Sequence, residues 1–215
     1  MSVYELYIYI SAEDLPAIYK HKKKIAIARE VQGGESQPLV WVAFAPFEAN
    51  FVGWGDNYGI YASWERKTND ESTGRETTVT KGSENSLVRA GMILPFVGGA
   101  FGTPTAAHDK GYGISNQDEA VAQFGLTQSA NVGGEPLDSL PLNSVDIAPG
   151  DEVLFEPSSE LWVSLSDGPQ GSPLPLPMQG ALIISPAKEK PSLDIHYDHA
   201  TETFMEGPLP EEPEK

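Results

Sequence analysis

With 31 acidic against 14 basic residues in 215, and a net charge of -17, the chain can bury a sizeable core and would repel a phosphate backbone over most of its surface. It has no cysteine, which excludes a disulfide framework, a thiolate zinc site and a cysteine nucleophile. Its 21 glycines and 18 prolines leave room for short strands joined by turns and little for long helices.

Val3 to Ile10 alternates and is rich in Tyr and Ile, which predicts a strand; the N-terminus shows no basic region or cleavage signal, so a soluble, cytoplasmic protein is expected. Ser11 followed by Asp14 reads as a helix start, with a short helix over Ala12 to Lys20. Lys20, His21, Lys22, Lys23 and Lys24 form one basic run, read as a solvated strand entry rather than a nucleic-acid patch. Ile25 to Val31 should be a second strand, with Ile25, Ile27 and Arg29 on one face and Ala26, Ala28 and Glu30 on the other.

Leu39 to Trp64 holds three of the four tryptophans. Its first part, to Ala45, is an unbroken apolar run and predicts a central strand buried on both faces. Gly53 to Asn57 reads as a turn, and Tyr58 to Trp64 resumes as a strand. Arg66 to Ser86 is polar with a hairpin tip at Asn69 to Glu71; Leu87 to Val97 is apolar; and Gly98 to Asp118 reads as a long loop carrying Phe101, His108 and Tyr112. Strands follow within Glu119 to Ala130, Val145 to Ala148, Glu152 to Glu156, Leu161 to Ser166 and Gly180 to Ser185, with a proline-rich loop over Gly168 to Met178.

About ten strands without crossover helices predict an all-β fold, an antiparallel, jelly-roll-like β-sandwich. Residues 1–185 would form this single domain, with long loops, and 186–215 a disordered, acidic, proline-rich tail. A lipocalin-like barrel is the alternative.

No motif supplies a catalytic centre, so a non-enzymatic role is expected. His196, Asp198 and His199 have metal-ligand chemistry, but an extended chain puts the two histidines on opposite faces, so no metal is expected. His108 and Asp109 lack a nucleophile, since no Gly-x-Ser-x-Gly elbow occurs. Neither Gly98-Gly99 nor Gly133-Gly134 has the context of a phosphate loop. What remains is the aromatic series Trp41, Phe44, Phe47, Phe51, Trp54, Tyr58, Tyr61 and Trp64, continued by Phe96, Phe101, Tyr112, Phe124 and Trp162. Trp54, beside two glycines, is the expected stacking residue; Asn50, Asn57, Gln123 and Gln128 are amides within apolar stretches.

The stretches WVAFAPFEANFVGWGDNYGIYAS and QFGLTQSANVGG, with LWVSL, resemble a group of fungal all-β proteins of about this size. Trp41, Phe47, Ala49, Asn50, Trp54, Tyr58, Gly59, Tyr61, Ser63, Gly125, Leu126, Gln128 and Trp162 carry the resemblance, which brings no catalytic residues with it. In its gross properties the chain is also similar to the pink chromoproteins of oyster-type mushrooms, and that resemblance implies an organic chromophore as cofactor.

The sequence therefore predicts a β-sandwich that binds a small flat aromatic ligand, a pigment being one such ligand, between the Trp41 to Trp64 segment and the Gly98 to Asp118 loop. Trp54, Asn57, Tyr58, Tyr61, Phe101, His108, Tyr112 and Gln128 would line the site. The alternative is a defence-type lectin or toxin that presents its aromatics to a glycan or a membrane.

Overall fold

The computed structural model describes residues 3–70, 75–85, 88–107, 109–174 and 180–210, with backbone only at 65–70, 75–81 and 85. His108 lies outside the described residues, as do the residues linking the polar hairpin. The elements in chain order are β1 (Val3–Tyr9), α1 (Leu15–Lys20), β2 (Lys24–Gln32), β3 (Gln37–Pro38), β4 (Val40–Phe44), β5 (Ala49–Gly55), β6 (Gly59–Asp70), β7 (Arg75–Asn85) and β8 (Met92–Val97). They continue with β9 (Ala100–Phe101), β10 (Thr105–Ala106), β11 (Tyr112–Asn116), β12 (Ala122–Val132), β13 (Glu135–Pro141), β14 (Asn143–Ile147), β15 (Glu152–Ser166), β16 (Leu182–Ile184), β17 (Ser192–Asp198) and β18 (Thr203–Glu206).

The strands form two curled sheets that pack as a β-sandwich. One runs β18-β17-β1-β5-β12-β14-β3, with β6 and β13 also on β12 and β7 on β6; the other runs β10-β8-β11-β15-β2-β4, with β16 on β15 and β9 on β8. The sheets are mixed rather than antiparallel throughout, because β1 pairs parallel with β17 and β8 with β11. Parallel neighbours need a long connection, and nearly the whole chain lies between β1 and β17.

One core draws on both sheets, from Leu6, Ile8, Val52 and Phe124 on the first to Ile27, Trp41, Ile114 and Phe155 on the second. At its centre the Phe96 ring meets Trp64, Phe101 and Phe124 edge to face, at centroid distances of 5.1, 5.2 and 5.1 Å. A smaller cluster, Ala26, Ala28, Val40, Trp162 and Leu174, covers the other face of β2 and β4. The apolar run from Leu39 is thus buried on both faces only as far as Val42, with Ala43 and Phe44 half-buried and Ala45 exposed, and β4 ends its sheet rather than lying in the middle. Its outer edge is closed by the proline-rich segment: Val40 N–H donates to the Ser172 carbonyl and Gly171 N–H to the Val40 carbonyl.

Three further expectations are corrected. The segment from Pro186 is not a tail through residue 210: it supplies β17 and β18, and Ile195, Tyr197 and Phe204 enter the core. Charge hides a period-2 pattern there, SLDIHYD, whose buried members are Ile195 and Tyr197. The Gly98 to Asp118 stretch is not one long loop but carries β9, β10 and β11, the last flanked by β8 and β15. Glycine fits there because a Cβ on Gly113 would stand 2.6 Å from Ile93. The helix starts at Leu15, with Asp14 at its N-cap making no capping side-chain bond; Asp14 instead meets His199 Nδ1 at 2.8 Å.

Gly53 to Asn57 does not reverse the chain. Both β5 and β6 run antiparallel to β12, Trp54 opposite Ala130 and Ile60 opposite Leu126, so the chain continues in one direction with two extra residues between them.

Candidate functional site

The pairing of β1 with β5 decides which aromatics face the core and which face solvent. Tyr4 lies opposite Trp54, Leu6 opposite Val52 and Ile8 opposite Asn50, and all six are buried. The intervening pairs, Tyr7 opposite Phe51 and Tyr9 opposite Ala49, face outward by the two-residue period. Each face opens into a cavity.

The outer cavity is a groove of about 590 Å³ lined by five aromatic side chains, Tyr7, Tyr9, Phe44, Phe47 and Phe51, with Glu135 at one side. Tyr7 and Phe51 pack at 5.4 Å. Phe47 is the most exposed large apolar residue among those described, at 64 %. Its backbone is nonetheless fixed, because the buried Asn50 side chain accepts from Phe47 N–H at 2.8 Å and donates to the carbonyls of Phe47 at 2.7 Å and Ile8 at 3.0 Å. The Tyr19 hydroxyl of α1 donates to the neighbouring Pro46 carbonyl. On the same face the Tyr7 hydroxyl donates to Glu5 and the Tyr9 hydroxyl to Asp194. Desolvation first, and then these carboxylates, push both phenol pKa values above the usual tyrosine value.

The inner cavity, about 160 Å³, is lined by Tyr4, Arg29, Trp54, Asp56 and Tyr58 with residues 157–159 and Pro186. Arg29 and Trp54 are each 4 % exposed. Arg29 donates through Nη1 to the Tyr58 hydroxyl and sits over the Trp41 ring, 5.9 Å from its centroid. Its Nε and the indole Nε1 of Trp54 have no hydrogen-bond partner. Burial raises the pKa of the Tyr58 phenol, against the pull of the Arg29 charge.

Of the eight residues expected at one site, His108 lies outside the described residues and the other seven are distributed among several places. Trp54 and Tyr58 line the inner cavity, but Trp54 is buried rather than near the surface: Tyr4 stacks on it at 5.7 Å and Trp41 meets it edge-on at 6.0 Å. Asn57 and Gln128 border a separate cleft beside Ser139, where the Gln128 amide donates to the Gly55 carbonyl at 2.8 Å. Tyr61 lies over Gly125, whose missing Cβ would stand 2.6 Å from the ring, and donates to the Asn143 carbonyl. Phe101 packs on Phe96. Tyr112 packs on Tyr58 at 5.2 Å, and burial, then Tyr58 and Asp56, push its phenol to about 12. The Trp41 to Trp64 segment and the former loop do meet, but by close packing, where Tyr58 meets Tyr112 and where Gly99 lies against the Trp64 ring. His196 Nδ1 lies 3.1 Å from the Gly207 carbonyl while His199 is taken by Asp14, so the two histidines serve different partners.

Sequence reasoning set Phe44, Phe47 and Phe51 within the aromatic series but not at the site, and left out Tyr7, Tyr9 and Arg29. The alternation of β1, which sets Tyr7 and Tyr9 against Leu6 and Ile8, carries the signal for the groove. Arg29 in register with Ile25 and Ile27 carries it for the inner cavity: a charge on a core face needs a reason. No family model, curated protein or solved structure matches the chain.

Proposed function

We propose that the protein binds a small flat aromatic ligand in the outer groove, without catalysing a reaction on it. The observation that carries this reading is Phe47: an exposed ring whose backbone is held on both sides by Asn50, in a groove of about 590 Å³ with four further aromatic side chains. Exposing an apolar ring gains nothing for folding, whereas fixing it in advance lowers the ordering cost of a ligand that stacks on it. The volume falls within the range of small-molecule sites, roughly 300–1,000 Å³. A pigment is one such ligand, and a cytoplasmic setting suits it.

The test has two parts. The purified protein is scanned for absorption beyond the tryptophan band and extracted for mass analysis; the stripped protein is then titrated with Nile red, a flat uncharged fluorophore. One-to-one binding weakened about tenfold by Phe47→Ala is expected, the loss of one stacking contact. Absence of both an extractable chromophore and saturable dye binding would rule the reading out, as would dye affinity unchanged in Phe47→Ala.

The phenols bonded to Glu5 and Asp194 beside exposed rings favour a second reading, a glycan laid on the same groove. Glycan-array binding abolished by Phe47→Ala, with no dye binding, would select it.

A further inference from the structure

We infer that the inner cavity is a second, separate binding site, built for the carboxylate of a small organic acid. Two independent features of the fold converge on it. The first is a pair of buried donors with nothing to bond: Arg29 Nε and Trp54 Nε1, both on residues lining the cavity. A buried polar atom without a partner is costly and uncommon, and here two such donors belong to residues that line one small space. Among the described residues no carboxylate forms an ion pair with Arg29, although Asp56 lines the same cavity, so the guanidinium keeps capacity for a ligand anion.

The second feature is backbone geometry. Pairing of β15 with β2 runs from Pro157 opposite Val31 to Leu161 opposite Arg29, so β15 carries two extra residues opposite Arg29. Across the sandwich, the two extra residues between β5 and β6 fall at Asp56 to Tyr58. Both irregularities lie at the cavity: Asp56 and Tyr58 line one side, and Pro157, Ser158 and Ser159 the other. Bulges re-aim side chains and concentrate at functional sites. Here both border the cavity that Arg29 and Trp54 line.

Charge and size narrow the ligand. The volume of about 160 Å³ suits a molecule of a few heavy atoms. Asp56 also lines the cavity, with its carboxylate accepting from the Tyr4 hydroxyl at 3.2 Å, and its negative charge disfavours a phosphate dianion relative to a singly charged acid.

The full-length protein is titrated with sodium acetate, sodium propionate and inorganic phosphate against sodium chloride at matched ionic strength, followed by tryptophan fluorescence and melting temperature. Saturable one-to-one binding of acetate or propionate is expected, with phosphate weaker and chloride without effect. Arg29→Gln should abolish the response, and Trp54→Phe, which keeps a ring but removes the donor, should weaken it about tenfold. Phe47→Ala should leave it unchanged, which separates this site from the outer groove. The inference fails if neither carboxylate saturates, if phosphate binds more tightly than both, or if Arg29→Gln binds as the parent does. Should Arg29→Gln not fold, Trp54→Phe decides, and parental affinity in that variant would overturn the assignment.

Discussion

The two faces of the β1–β5 pair put aromatic side chains to opposite uses. Inside, Tyr4, Trp41 and Trp54 are packed ring against ring, and what is left unsatisfied is polar, at Arg29 and Trp54. Outside, the Asn50 amide that holds Phe47 has its partners, and what is left uncovered is apolar, at Phe47 itself. Each face therefore leaves something different uncovered: buried donors on the inner side and an apolar ring on the outer. The lesson is that a ring's value as a binding residue depends less on its neighbours in sequence than on whether another ring of the protein already covers it.

The contrast can be broken by substitution. Trp54→Ala removes a buried indole stacked by Tyr4, and a loss of about 3–5 kcal/mol in stability by denaturant unfolding is expected. Asn50→Ala, on the same buried face but serving the outer one, removes three hydrogen bonds. It should lose about 2–3 kcal/mol and also slacken dye binding, because Phe47 is no longer held.

Alkaline pH acts on the inner side. The Tyr112 phenol is pushed to about 12, above the usual value of 10, so folding favours its neutral form. The stability it contributes is full below about pH 10 and is lost as pH rises through about 12. Tyr58 and Tyr61 shift in the same direction. Tyr112→Phe should therefore flatten the fall of denaturant midpoint above about pH 10 without steepening it below. The smallest effect is expected from Phe47→Ala, whose stability should stay within about 0.5 kcal/mol of the parent because the ring is exposed. If that variant instead unfolded as readily as Trp54→Ala, the groove would be part of the core and the contrast would vanish.

Much of the fold was legible locally. The β-branched and aromatic alternation of Val3 to Tyr9, the run of Ile25 to Val31 and the two arms of the polar hairpin, up to Asp70 and from Arg75 to Asn85, all became strands, because side-chain periodicity is a property of adjacent residues. Strands whose pairing is enforced from elsewhere were not legible. Tyr112 to Asn116 has the composition of a loop, and it is a strand because β8 and β15 flank it and glycine tolerates their approach. Ser192 to Asp198 looks like a tail, and it is a strand because β1 offers a parallel edge after nearly the whole chain has been laid down.

The site follows the same division. Composition and periodicity by themselves determined an acidic, cysteine-free, all-β chain with its aromatic mass concentrated in Leu39 to Trp64, and they also put Arg29 in line with core isoleucines. Only the tertiary structure decided that Trp54 is covered while Phe47 is presented, and that two bulges far apart in sequence meet over Arg29. The reason is physical: periodicity fixes which residues share a face of a strand, but which face is buried, and by what, depends on contacts between segments a hundred residues apart.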